Sequence, residues 1–191
     1  MGNIVLFMHC SLDGFAAGTK GEMNWIQVDQ ELFDYVEERI AQTNTALYGR
    51  VTFQMMESYW PTAADQPGAT KHDKVHAVWY KNAHKVVLSN TLNEADFKNT
   101  TVIGKNYASI LPKLKEETKG DILLFGSPST AHALLAENLI DECWIFINPV
   151  LLGEGIPVFK GIKEKEKLKL LKTHVFSSGV VCLNYDVQRG N

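Results

Sequence analysis

Short apolar runs, each closed by a small or polar residue and followed by a helical pattern, recur along most of this chain and restrict its fold more than any other feature. The runs cover residues 3–10, 45–48, 85–88, 100–103, 121–125 and 143–148. Between them, apolar spacing predicts helices over about 30–42, 71–81, 106–118 and 129–137, and a shorter one from Phe53 to near Tyr59-Trp60-Pro61. Asp29 is placed to cap the first helix, whose inner face would carry Phe33, Val36 and Ile40. Beyond residue 148 the pattern changes. Residues 168–176 and 180–188 read as two strands joined by Ser177-Ser178-Gly179, a hairpin by its turn chemistry.

Strands alternating with helices, then a hairpin, predict an α/β fold: a central mixed, mainly parallel sheet flanked by helices, with an antiparallel pair at its C-terminal edge. The 191 residues fit one domain, taken as residues 1–191. Residues 61–71 are loop by composition, and residues 14–28, with Gly14, Gly18, Gly21 and Trp25, form a long loop of the kind that usually has a function.

Charge and composition exclude several classes. A formal charge of −3 leaves no basic stripe for a nucleic-acid backbone, and the lysine-rich run Lys163 to Lys172 is interleaved with Glu164 and Glu166, as in a solvated strand or turn. Cys10, Cys143 and Cys182 are scattered through apolar sequence, so buried reduced thiols are expected rather than a disulfide frame or zinc site. His72 and His76 lie four apart on a predicted helix, but without the H-E-x-x-H glutamate or a third ligand they read as a surface pair, and no metal is expected. No run approaches transmembrane length, so the expected location is cytoplasmic, with no membrane partner.

Ligands of an open α/β sheet lie beyond the carboxyl ends of its strands. Four predicted strand ends carry residues suited to a nucleotide: Gly49-Arg50-Val51-Thr52, Leu88-Ser89-Asn90, Gly104-Lys105-Asn106 and Gly126-Ser127-Pro128-Ser129-Thr130. Glycine lets a phosphate approach the backbone, a helix start offers free N–H groups, and arginine offers a charged planar fork. Arg50 and Ser89 could hold a further phosphate on a ribose, which would select NADPH over NADH. Neither G-x-G-x-x-G after the first strand nor a P-loop is present.

Six segments carry a resemblance across nearly the whole chain: SLDGF at 11–15, LYGRVTFQMMESYWP at 47–61, VVLSNT at 86–91, LLFGSPSTAHALLAENLIDE at 123–142, NPVLLGEGIPVF at 148–159 and SGVVCLNYDV at 178–187. In this order and spacing the chain resembles the dihydrofolate reductase-like superfamily. Within it, the chain is similar to the branch holding the reductase domain of bacterial bifunctional riboflavin-biosynthesis deaminase-reductases. The resemblance implies a homodimer that binds NADPH across the strand ends. Gly49, Arg50 and Thr52 match its cofactor motif, with Arg50 near the ribose phosphate, and Leu88, Ser89 and Asn90 match the segment beside the adenosine. Gly126, Ser127, Ser129 and Thr130 match the diphosphate turn, although the family often has a second glycine where this chain has Ser127. Ala16, Ala17 and Gly18 match the mobile loop over the nicotinamide.

The substrate side is less marked. Counting back from Gly49 places Phe33 where dihydrofolate reductases carry a carboxylate, with Asp34 beside it. Phe33 belongs to the apolar stripe, so Asp34 is either a solvated helix residue or, after a one-residue shift, the acid facing substrate. Asp13, at the end of the first strand, is the candidate catalytic acid, or else a turn-forming Asp-Gly. Trp25, Tyr59 and Trp60 could stack on a flat ring. The expected activity is NADPH-dependent reduction of a small pterin- or pyrimidine-like heterocycle. The rivals are a nucleotide-binding or regulatory protein without turnover, and a riboflavin-pathway reductase that would need a separate deaminase.

Overall fold

The computed structural model describes residues 2–162 and 165–189, so Lys163 and Glu164 of the lysine-rich run lie outside the described residues. Along the chain come β1 (Ile4–Ser11), β2 (Phe15–Ala17), α1 (Gln30–Ile40), β3 (Thr45–Gly49), α2 (Arg50–Ala63), α3 (Lys71–Asn82), β4 (His84–Leu88), β5 (Thr100–Ile103), α4 (Tyr107–Glu117), β6 (Ile122–Phe125), α5 (Pro128–Ala136), β7 (Glu142–Asn148), β8 (Ile156–Pro157), β9 (Lys167–Val175) and β10 (Val181–Gln188). The main sheet has the order β5-β4-β3-β6-β1-β7-β10-β9. Its strands from β5 to β7 are mutually parallel, while β10 and β9 each run antiparallel to the preceding neighbour. The expected mixed, mainly parallel sheet with an antiparallel C-terminal pair is what forms.

Burial on both faces explains the unbroken apolar runs. In β1, Ile4, Leu6 and Met8 pack with Leu111 of α4 and with Ala131 and Leu134 of α5. The alternate residues Val5 and Phe7 face the other way, with Leu32 and Ile40 of α1. Leu6 is wholly buried, and cutting it to alanine should cost about 2–5 kcal/mol. All parallel strands end at one edge of the sheet, which gathers their loops there.

Four features depart from the sequence expectations. The segment 14–28 is not wholly irregular: β2 pairs antiparallel with β8 from a distant part of the chain. Gly155 is needed at this clasp because a Cβ there would collide with the Ala17 carbonyl oxygen. Helix α2 continues through Pro61 to Ala63, so the proline falls in its last turn and forgoes one N–H bond to the preceding turn. A short 3-10 turn at Glu94–Asp96 holds the Glu94 carboxylate 2.8 Å from the N–H of Val102, blunting the exposed edge of β5.

The fourth departure corrects the surface placement of His72 and His76. Both are buried, because α3 is packed by α2 on one side and α1 on the other. The His72 ring stacks on Phe33 at 3.7 Å and its Nδ1 lies 2.9 Å from Glu37, while His76 lies 4.0 Å from the Trp60 ring. Val75 and Val78 of the same helix are instead exposed. The three cysteines are buried and free, as expected, and burial raises the Cys10 thiol to about 11 and the other two to about 12.

Candidate active site

Helix starts in this protein are of two kinds. In α1 the Asp29 carboxylate accepts from the Leu32 N–H at 2.8 Å, and in α3 Thr70 and Asp73 cap each other's backbone N–H groups. The starts of α2, α4 and α5 have no side-chain cap and no acidic residue in the first turn. All three lie at the carboxyl edge of the sheet, after β3, β5 and β6. Their unpaired N–H groups (in the first turn of α5 that of Ser129, since Pro128 has none and Thr130 donates to the Ser127 carbonyl) and positive dipole ends make that edge suited to anions.

A cavity of about 320 Å³ opens between two of these starts, lined by Leu88, Ser89, Asn90, Gly104, Lys105, Tyr107, Ser129, Thr130 and Ala133. The third start adjoins it, since a Cβ on Gly49 would collide with the hydroxyls of Ser127 and Thr130. Those hydroxyls lie 2.8 Å apart. Gly126 and Ser127 both adopt left-handed backbone, with φ of 55° and 56°. Serine thus takes a conformation that glycine would reach more easily, at a cost of about 1–2 kcal/mol, and the turn aims α5 at the cavity.

The structure therefore brings together Gly49, Thr52, Leu88, Ser89, Asn90, Gly126, Ser127, Ser129 and Thr130, with the Thr52 methyl against Gly126. Arg50 stands exposed at the head of α2, its guanidinium donating to Gln54 Oε1 at 3.0 Å. Ala17 and Gly18 are buried beside the β2–β8 clasp, and the Gly18 N–H donates to the Glu22 carbonyl at 2.9 Å. Lys105 and Tyr107 join the cavity as further residues; the Gly104-Lys105-Asn106 strand end signalled the first.

The substrate-side candidates are dispersed. Asp13 accepts from the N–H groups of Leu152 at 3.1 Å and Gly153 at 2.7 Å. A hydrogen bond from Ser11 and these backbone donors hold its carboxyl below the usual carboxylate range. An acid kept ionised in this way is a poor proton donor, so the geometry supports the turn-and-loop role over the catalytic one. Asp34 is exposed, 2.8 Å from Gln30 and 3.4 Å from Lys71, which is the solvated-helix alternative. Tyr59 donates to Asp73 at 2.8 Å and Trp60 packs against α3. Trp25 is half-buried in the loop, its indole N–H donating to the Glu22 carbonyl at 3.2 Å.

One group was not singled out from sequence. His9 lies on the α1 face near the end of β1, half-buried and stacked on Phe146 at 4.8 Å. Beside it, wholly buried Asn148 accepts from the Gln27 N–H at 2.9 Å and donates to the carbonyls of Cys10 and Phe146, each at 3.2 Å. Desolvation lowers the His9 pKa to about 4, so its imidazole is neutral at physiological pH. A lone histidine inside an apolar run carries no sequence signal of its own.

This sheet order and edge give the chain a dihydrofolate reductase-like fold. A dihydrofolate reductase from Enterococcus faecalis, solved with NADP(H), superposes with a TM-score of 0.63 at 16% identity, covering 98% of both chains. Residues 3–182 match the RibD C-terminal domain, and the chain belongs to that family. It is 35% identical over 185 residues to the uncharacterised protein YyaP of Bacillus subtilis (strain 168), covering 95% of this chain and 93% of the relative. A candidate riboflavin-biosynthesis protein from Shewanella sp. PV-4 has a TM-score of 0.71 at 25% identity, covering 99% of this chain and 100% of that one. Among the described residues, no helix is long and apolar enough to cross a membrane, and no cluster of three or more metal-ligating side chains is found.

Proposed function

We propose that this protein is an NADPH-dependent reductase of a small heterocyclic substrate. The observation that carries the reading is the convergence of three uncapped helix starts on one cavity edge, with Arg50 and Lys105 beside it. The residues fit the cofactor: Gly49, Gly126 and the first turn of α5 admit a diphosphate to backbone N–H groups, and Ser127 and Thr130 add hydroxyl donors. Leu88, Ser89 and Asn90 flank the adenosine, while Arg50 and Ser89 take the additional ribose phosphate. When bound, NADPH supplies a hydride to a C=N or C=O carbon. Ala17 and Gly18 border the reacting end, and the loop that follows limits solvent access.

Asp13 serves in this reading as the tie between the β1 turn and residues 152–153, leaving proton delivery to water. Because Asp13 and Asp34 are both engaged elsewhere, nucleotide binding without turnover is the second reading. Oxidation of NADPH in the presence of pterin or pyrimidine substrates separates the two.

The same proposal includes a homodimer. Register places Leu168, Leu170 and Val175 of β9 beside Val187, Tyr185 and Val181 of β10 on one face, and the three β9 residues are 45–65% exposed. Such a patch favours a protein partner, here a second copy, and a monomeric mass by sedimentation at micromolar concentration would remove this element. For the cofactor, NADPH should raise the melting temperature more than NADH does. Arg50→Ala should weaken NADPH binding by roughly tenfold and shrink the difference, since a charge-assisted hydrogen bond is worth about 1.5–3 kcal/mol. Equal shifts with both cofactors in the unmodified protein would sink the assignment.

A further inference from the structure

His9 offers a hydrogen-bond donor that none of the contacts described above uses. Asn148 fixes its tautomer. The Asn148 Nδ2 group faces the carbonyls of Cys10 and Phe146, which can only accept, and its Oδ1 faces the Gln27 N–H. The amide nitrogen is therefore the atom turned toward His9, 3.4 Å from Nδ1. With both amide hydrogens directed at the two carbonyls, an Nδ1–H would face only another N–H group, so the favoured tautomer leaves Nδ1 bare and puts the hydrogen on Nε2. Among the described residues, Nε2 has no hydrogen-bond partner, and it is not one of the buried polar atoms left unsatisfied. The donor therefore reaches the surface of an otherwise desolvated ring.

Its position is at the ligand edge. Phe7 pairs with Phe125, the last residue of β6, and its carbonyl accepts from the Gly126 N–H at 2.9 Å, so the Gly126-Ser127 turn leaves the sheet where β1 runs on to His9. On its other side, the Gln27–Asn148 bond brings the end of the 14–28 segment to the same place. The site has an aromatic floor: Phe7 stacks on Trp144 at 5.1 Å and His9 on Phe146.

We infer that His9 is a substrate-binding residue whose Nε2–H donates to a ring carbonyl oxygen or unprotonated ring nitrogen of the heterocycle. This rests on the reductase reading for the class of substrate, but the geometry of His9 does not depend on NADPH. Asn148 is the positioning residue that holds the imidazole in the donating tautomer. A neutral donor suits a neutral ring acceptor, and a site built to donate one hydrogen bond discriminates against rings lacking the acceptor.

The test uses the full chain with 6-methyl-7,8-dihydropterin and 5,6-diaminouracil as probes, with and without saturating NADPH. Long-range proton–nitrogen NMR of the imidazoles, assigned through His9→Gln, should show the Nε2–H tautomer at pH 7. At least one probe should shift the Nε2 resonance at up to millimolar concentration. His9→Ala should weaken that probe by roughly tenfold, while His9→Gln, which keeps an amide donor, should restore affinity to within about threefold. The Nδ1–H tautomer, no shift with either probe, or equal losses in both variants would overturn the assignment. If NADPH still raises the melting temperature in that case, the cofactor reading stands without His9. If the probes shift His9 but NADPH has no effect, the cofactor reading fails instead.

Discussion

The helix starts of this protein divide its labour. Those of α1 and α3 are closed by their own side chains, through Asp29 and the Thr70–Asp73 pair. Those of α2, α4 and α5 forgo such caps and face one edge. A cap is worth about 0.5–2 kcal/mol, so three bare starts represent stability that a chain under selection for stability alone could recover. The difference teaches where to look for an anion, because the groups left unsatisfied are the ones a bound phosphate would satisfy.

A carboxylate placed on each kind of start breaks or sharpens this comparison. Ser129→Asp puts an acid in the first turn of α5, where it should leave the unliganded protein as stable or slightly more so, by about 0.3–1 kcal/mol. The same charge should weaken NADPH at least about thirtyfold through like-charge repulsion, measured by calorimetric titration. Retained affinity would mean that the bare starts are not a phosphate site. Acid should erode the capped side. Burial holds His76 near 3 against an ordinary 6.5, so its contribution is complete above pH 6.5 and declines below it. The decline is about 1.4 kcal/mol per pH unit until pH approaches the folded value. His9, lowered to about 4, acts in the same direction. His76→Phe should remove one proton's worth of slope in urea denaturation between pH 6 and 4.5, and an unchanged slope would show that His76 is already solvated. The smallest effect is expected of Asp29→Ala, which should cost about 1 kcal/mol and leave the NADPH-induced melting shift unchanged.

Much of the sheet was legible because parallel strands buried on both faces leave continuous apolar runs, and Asp29 marked the start of α1. The four strand ends were legible as a set, since a common edge follows from parallel strands. What escaped depended on contacts between distant segments. The β2–β8 pairing joins five residues from opposite ends of the sequence, too few to leave a pattern in either. His72 and His76 were misplaced because hydropathy puts valine inside and histidine outside, whereas packing of α3 between two helices gave the inner face to the larger rings and left Val75 and Val78 in water. His9 was invisible for a related reason: its meaning comes from Asn148, 139 residues away.

The β2–β8 clasp and the Asp13 tie together fasten residues 13–17 to residues 152–157. The two stretches are held at more than one point, so neither can swing without dragging the other. Ligand exchange would then be governed by one coupled opening rather than two independent ones. A change at Asp13 or Gly155 would loosen both stretches at once, although Asp13 and Leu152 lie 139 residues apart in the chain.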